Sequence, residues 1–177
     1  MSYEIIDNFL KKENFENIIK TFFPQDINDI NNPNNFSWNY QKGIVRDPEL
    51  GSTGYEENDW TYVHPLYSSD NGLKFDRFYS LAKPILNKLN IKRLFDIRAN
   101  LLVPTPEHIY HEFHTDRKIP HKVALFYITS CNGFTILKDT TEVECIRNRM
   151  LIFDGFIEHH SVTSTDYPRC VININYV

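Results

Sequence analysis

Between Lys11 and Phe23 the apolar residues Phe15, Ile18, Ile19, Phe22 and Phe23 fall at helical spacing. This pattern predicts an amphipathic helix, stopped by Pro24. Tyr3 to Leu10, ahead of it, reads as a short strand or turn. Gln25 to Asn35 is rich in Asp and Asn and holds Pro33, so it reads as a loop. Phe36 to Tyr40 alternates aromatic and polar residues and predicts a strand. Gly43 to Tyr67, polar and glycine-containing, reads as a packed loop carrying Trp60 and Tyr62. A lid over a substrate is the rarer use of such a segment. A second helix is predicted from about Gly72 to Leu89, with Phe75, Phe78, Leu81, Ile85 and Leu89 on one face and Pro84 as a kink.

From Ile91 onward the period changes. Leu94 to Val103, Lys122 to Thr129, Phe134 to Leu137, Met150 to Phe153 and Arg169 to Val177 are short apolar or alternating runs. Asn132-Gly133, Asp154-Gly155 and Tyr167-Pro168 punctuate them. Helices first and short strands after predict an α+β domain whose second half is an antiparallel sandwich or barrel. No repeat and no linker divides the chain, so residues 1–177 read as one domain. Residues 1–90 supply helices and substrate-loop support, and 91–177 the strand-rich core.

The chain has 177 residues, 41% of them hydrophobic and 14% aromatic. That is enough to bury a core without disulfides. A net charge of -4, with no Lys/Arg block, argues against generic binding to nucleic acid or an anionic membrane. Cys131, Cys145 and Cys170 are odd in number and show no C-x-x-C spacing, so neither a disulfide framework nor a zinc ribbon is implied. Met1-Ser2-Tyr3-Glu4 lacks the basic start of a signal peptide, and no long apolar run follows. The expectation is a soluble protein of the reducing cytoplasm.

The chemistry concentrates after residue 110. On an extended strand, His114 and Asp116 point to one face and can reach one ion. His159 or His160 can add a second imidazole. Adjacent strand residues face opposite ways, so only one of the two can point at the metal. Two imidazoles and a carboxylate on one side of an octahedral ion make the facial triad of non-haem iron(II) oxygenases. Three protein ligands leave three positions for a 2-oxo acid and O2. The far carboxylate of 2-oxoglutarate then needs a cationic partner, and an arginine fork suits it best. Arg169 follows His159 by ten residues and opens the last strand. One face of that strand carries Cys170, Ile172, Ile174 and Tyr176, fit to pack on the helices. The other carries Arg169, Val171, Asn173 and Asn175, fit to line a polar cavity.

His114-Thr115-Asp116, then His159, then Arg169 resembles the prolyl 4-hydroxylase-like branch of the 2-oxoglutarate/iron(II) oxygenases, in its small phage and bacterial forms. The turn Cys131-Asn132-Gly133, the run Asn148 to Asp154 and the ending Val171 to Tyr176 extend the resemblance over roughly Leu94 to Val177. It implies a double-stranded β-helix (a jelly-roll, cupin-like fold), with N-terminal helices packed on the major sheet. It implies iron(II), 2-oxoglutarate and O2 as cofactors, and decarboxylation of 2-oxoglutarate coupled to hydroxylation. The substrate it implies is a peptidyl side chain such as proline. It makes His114, Asp116 and His159 the metal ligands, favours His159 over His160 by the spacing to Arg169, and places Tyr127 beside the far carboxylate. Val171 and Asn173 stand where the family commonly has a serine or other polar residue, and the tyrosine usual before H-x-D has no counterpart near Leu102 to Pro106.

Other readings weigh against these. An H-x-D tripeptide is common by chance, and the spacing to His159 and Arg169 gives it weight. Most arginines make surface salt bridges, and Tyr127 could be plain packing. His108, His111 and His121 read as solvated loop histidines. His111-Glu112 is followed by His114 one place too early for H-E-x-x-H. The competing functions are a non-catalytic metal-binding jelly-roll module and a zinc-dependent hydrolase, and neither explains Arg169 as well. No arginine follows Arg169, which argues against nucleobase repair. Substrate identity, protein or small molecule, and oligomeric state are not written in the sequence.

Overall fold

The structure, a computed structural model, describes residues 2–23, 35–42, 60–70 and 74–177. Its strands are β1 (Tyr3–Ile6), β2 (Asn39–Lys42), β3 (Trp60–Ser68), β4 (Lys74–Phe75), β5 (Leu94–Leu102) and β6 (Lys122–Tyr127), followed by β7 (Phe134–Leu137), β8 (Glu142–Glu144), β9 (Met150–Asp154), β10 (His159–Ser161) and β11 (Arg169–Tyr176). The helices are α1 (Lys12–Phe22) and the single turn α2 (Lys83–Leu86), entered through a 3-10 turn at Tyr79–Ala82. None of the described helices is long and apolar enough to cross a membrane.

An eight-stranded antiparallel sheet runs β1-β9-β6-β11-β5-β3-β2, with β4 on the free side of β3. A three-stranded antiparallel sheet runs β10-β7-β8. β11 lies between β6 and β5 and is buried along its whole length. Its alternation sorts two cores. Cys170, Ile172, Ile174 and Tyr176 join Phe15, Ile18 and Phe22 of α1 and Ile85 of α2 in one cluster. Val171 joins Val123, Leu125, Tyr127, Leu137, Val143 and Phe153 in a second. Phe126 anchors the helix side. It is fully buried, with the rings of Phe9 and Phe15 each 5.9 Å away. Truncating such a ring costs about 3–5 kcal/mol. The inner face of β11 is left free to present Arg169 and Asn173.

The first half departs from the sequence pattern. Trp60 to Tyr67, expected in a loop, belongs to the nine-residue strand β3 between β2 and β5. Pro65 masked the strand, because proline cannot donate to a ladder. It sits where the pairing to β5 slips at a bulge, a position that tolerates it. The strand expected at Phe36–Tyr40 begins only at Asn39; Phe36 instead packs against Phe22 and Trp38. The helix expected over Gly72–Leu89 is largely absent. Lys74–Phe75 pairs with Tyr67–Ser68, and helical turns begin at Tyr79. Pro84 stands in the first turn of α2, where its missing N–H is not needed, so it opens the helix and does not kink it. The expectations for Pro24, for most of Gln25–Asn35 and for 43–59 lie outside the described residues.

Candidate metal and cosubstrate site

Residues 103–121, between β5 and β6, form no regular strand and touch the smaller sheet through two isolated bridges. The strand expected around His114 is therefore a single bridge, His114 to His159. Both backbone bonds form: His114 N–H donates to His159 O at 3.0 Å and His159 N–H to His114 O at 2.9 Å. A pair of this kind brings side chains to one face of the ladder, and the two imidazole centroids stand 4.6 Å apart. Asp116 then turns inward. Its Oδ1 lies 3.5 Å from His114 Nε2 and 3.7 Å from His159 Nε2. Asn173 on β11 donates its amide to Oδ2 at 2.9 Å. One carboxylate oxygen thus faces both imidazoles while the other is pinned by the sheet.

These three donors fit a metal ion. Their ligating atoms all lie within 4.8 Å of one another, and no other such cluster occurs among the described residues. Adjacent ligands of a first-row ion stand about 3 Å apart, from bonds of roughly 2.1 Å, so a small closure around an ion completes the set. The tautomers are also set. His114 Nδ1 faces the Glu112 carbonyl at 3.2 Å and His159 Nδ1 the Ile157 carbonyl at 3.3 Å. A carbonyl only accepts, so each Nδ1 carries the hydrogen and each Nε2 offers its lone pair. Burial is the largest influence on His159 and pushes its pKa down to about 4, which keeps it neutral. Burial would raise the Asp116 carboxyl, but its contacts with the His114 and His159 rings and the nearby Arg98 guanidinium hold it well below the usual carboxylate range. The donor set is two imidazoles and one carboxylate.

Arg169 enters the same cavity from β11, four residues before Asn173, at a residue exposure of only 4%. Its Nη2 donates to Thr135 Oγ1 on β7 at 2.6 Å, while its buried Nε has no hydrogen-bond partner among the described residues. The Tyr127 hydroxyl also meets Thr135 Oγ1, at 2.8 Å, and the Arg169 guanidinium lies 5.7 Å from the Tyr127 ring centre. Tyr127 is fully buried and does not line the cavity; Thr135 does. Burial raises the Tyr127 pKa to about 12, so the phenol keeps its proton. One cleft is lined by His114, Asp116 and His159 together with Arg169 and Thr135.

The structure brings His114, Asp116, His159 and Arg169 into one cavity and separates His160 from them. His160 pairs with Ile136, and its ring faces Phe113 at 4.4 Å and Tyr110 at 6.3 Å. Two loop histidines expected in solvent are buried. His111 Nδ1 meets the Ser161 carbonyl at 2.7 Å, and burial drives its pKa down to about 4. The His121 ring fills the space beside Gly155, where a Cβ would collide with the imidazole. Sequence reasoning missed Thr135, Arg98 and Asn100 as cavity residues. Asp96, Arg98 and Asn100 alternate with Phe95, Ile97 and Ala99 along β5, and that period-2 stripe was the available signal.

No family model and no curated protein matches the sequence. Solved structures do match. An oxidoreductase of the 2OG-Fe(II) oxygenase family from Burkholderia pseudomallei superposes with a TM-score of 0.64 at 9% identity, over 98% of this chain and 84% of that one. A prolyl hydroxylase from Trichoplax adhaerens, in complex with a hypoxia inducible factor peptide fragment, gives 0.62 at 14% identity, over 98% and 82%. The chain has the fold of the 2-oxoglutarate/iron(II) oxygenases. A viral collagen prolyl hydroxylase from Paramecium bursaria Chlorella virus-1, in a 2-oxoglutarate complex, gives 0.53 at 13% identity, over 100% and 97%. At such identities the likeness is one of fold, and this oxygenase fold leaves the chemistry to be argued from the cavity.

Proposed function

We propose that this protein is an iron(II)- and 2-oxoglutarate-dependent oxygenase that hydroxylates an organic substrate. In this reading the two sheets form a double-stranded β-helix around the metal site. The observation that carries it is Arg169, buried in the same cavity as a two-histidine, one-carboxylate donor set. A hydrolytic metal site has no use for a buried guanidinium at that place. A dicarboxylate that chelates an ion through one end and reaches an arginine with the other uses both.

His114, Asp116 and His159 would hold the iron, which when bound supplies the activation of O2 that couples oxidation of the cosubstrate to oxidation of the substrate. The rest is done by the chain itself. Asn173 keeps Asp116 Oδ2 occupied, so that Oδ1 alone faces the imidazoles. The Ile157 and Glu112 carbonyls hold both rings in the Nδ1–H form. Arg169 and Thr135 receive the C5 carboxylate of 2-oxoglutarate. Thr135 Oγ1 already accepts from Arg169 Nη2. If the Tyr127 phenol also donates to it, the Thr135 hydroxyl hydrogen is free to point at the carboxylate. Tyr127 then acts one bond away from the cosubstrate, as a positioning residue. Peptidyl proline, implied by the sequence resemblance, is one substrate to test.

Anaerobic titration with iron(II) and then 2-oxoglutarate tests this. A weak visible metal-to-ligand charge-transfer band is expected, followed by succinate formation once air is admitted. Asp116→Ala should weaken iron binding at least about a hundredfold, beyond what loss of an outer partner costs, with the folded secondary structure retained. A wild-type protein that binds iron(II) but shows neither band nor succinate would refute the reading.

A further inference from the structure

The cavity has a second arginine that this chemistry does not use. Arg98 lies on β5, cross-strand from Asn173 on β11, and both line the cleft. Directly opposed residues of an antiparallel pair stand about 4.5–5.5 Å apart, so Arg98 flanks the Asn173–Asp116 contact.

Its own partners are incomplete. The Nε atom is buried and has no hydrogen-bond partner among the described residues. Among the described residues its one ion-pair contact is Asp96 Oδ1 at 3.5 Å. That carboxylate is already taken. Arg117 donates to Oδ2 from Nε at 3.0 Å and again from Nη2, and Asn175 donates to Oδ1 at 3.0 Å. Arg117 also grips Asp70 with both Nη atoms. Asp96 therefore belongs to a closed structural network, and Arg98 stands at its margin with a side chain 41% exposed. Arg169 differs in being buried and bonded to Thr135.

Among the described residues of the cleft wall, Arg98 has uncharged polar neighbours on its own strand and on the strands beside it. Asn100 lies two residues along the same face of β5, and Thr61 and Gln41 come from the neighbouring strands β3 and β2. The Thr61 hydroxyl donates to the Leu101 carbonyl, so it contributes an oxygen acceptor and not a free donor. One guanidinium whose nearest acid, Asp96, is already claimed matches a single negative charge with two in-plane oxygens. A phosphate dianion would call for more positive charge than Arg98 alone offers.

We propose that Arg98 and Asn100 form the substrate subsite of this oxygenase, and that the substrate carries a carboxylate within a side chain's length of the carbon oxidised. The assignment rests on the oxygenase reading above and narrows it to acidic substrates. It gives the cleft a division of labour: Arg169 holds the cosubstrate's distal carboxylate at the buried end, and Arg98 holds the substrate's at the open end.

The probes are the free L-amino acids, each compared with its own primary carboxamide. The readouts are perturbation of the anaerobic iron(II)·2-oxoglutarate band and the increase in succinate formation in air. At least one acid should act at a concentration tenfold or more below its amide. Arg98→Gln should remove that preference by raising the half-saturating concentration of the acid at least tenfold and leaving the amide's unchanged, and Arg98→Lys should restore part of it. If no charge-transfer band forms in the wild type, the oxygenase reading has failed. If the band forms but no acid outperforms its amide, or Arg98→Gln keeps the preference, only the anion subsite has failed. A fall in affinity for 2-oxoglutarate itself in Arg98→Gln would assign the residue to the cosubstrate's metal-proximal carboxylate and overturn the proposal.

Discussion

Arg169 and Arg98 present the same functional group to one cavity from two neighbouring strands, and their surroundings differ in nearly every respect. Arg169 is 4% exposed and is fixed by Thr135, with the Tyr127 ring beneath it. Arg98 has a side chain 41% exposed and borders an acid already claimed by Arg117 and Asn175. A buried cation with few protein partners must find an anion to justify its desolvation, and the ligand that supplies it must be bound in every cycle. A half-exposed cation is solvated when empty and can wait for a ligand that comes and goes. On the proposed reading, the contrast fits the buried arginine to an obligatory cosubstrate and the open one to a variable substrate.

The largest expected effect breaks the buried end. Arg169→Ala leaves the distal carboxylate of 2-oxoglutarate without a partner and should cost on the order of 3 kcal/mol or more, roughly a hundredfold in apparent affinity. Arg169→Lys should recover only part, because an ammonium cannot reproduce the fork. Iron affinity without cosubstrate should hardly change. The measurement is the 2-oxoglutarate dependence of uncoupled succinate formation. An unchanged dependence in Arg169→Ala would remove the main reason for naming 2-oxoglutarate.

A smaller effect is expected midway between the arginines. Asn173→Ala removes the amide that pins Asp116 Oδ2 and should weaken iron(II) binding by roughly tenfold to a hundredfold, the usual cost of losing an outer partner of a metal ligand. The loss should show in direct metal titration before any cosubstrate is added, which separates it from Arg169→Ala. A metal affinity equal to wild type would mean that β11 does not orient the ligand.

The two ends were unequally legible in the sequence. Arg169 could be read because the strand after it alternates apolar and polar residues from Ile172 to Tyr176, and because a spacing of ten residues from His159 is a pattern in one dimension. The strands β5, β6, β7, β9 and β11 were visible as short apolar or alternating runs broken by Gly and Pro turns. Arg98 escaped although its strand was found, since nothing local says that Asp96 will be claimed by Arg117, distant in sequence, leaving Arg98 over. β3 escaped because Pro65 weakens a strand pattern unless the bulge that accommodates it is known. The spacing of Phe75 and Phe78 suggests a helix, but Phe75 ends in a two-residue strand against Tyr67. His111 and His121 look polar in sequence, and only the Ser161 carbonyl and the gap beside Gly155 show why they are buried.

The smallest effect sharpens what holds the buried arginine in place. Tyr127 stands one hydrogen bond behind Thr135 and lines no part of the cavity. If it touched the cosubstrate, Tyr127→Phe would remove a direct bond to a charged group, worth about 1.5–3 kcal/mol or more than tenfold in affinity. As a positioning residue it only sets which way the Thr135 hydroxyl points, and that hydroxyl can still rotate toward the carboxylate when the phenol is gone. The expected rise in apparent KM for 2-oxoglutarate is therefore about two- to fivefold, in line with a neutral hydrogen bond of roughly 0.5–1 kcal/mol, with kcat little changed. Thr135→Val supplies the calibration. It removes both the acceptor for Arg169 and the donor to the ligand, so it should exceed Tyr127→Phe in KM. The double variant should then match Thr135→Val alone, because the phenol acts only through the hydroxyl. A tenfold or greater effect of Tyr127→Phe in the Thr135→Val background would show that the phenol reaches the cosubstrate by itself, and would return Tyr127 to the direct contact that the sequence resemblance implies.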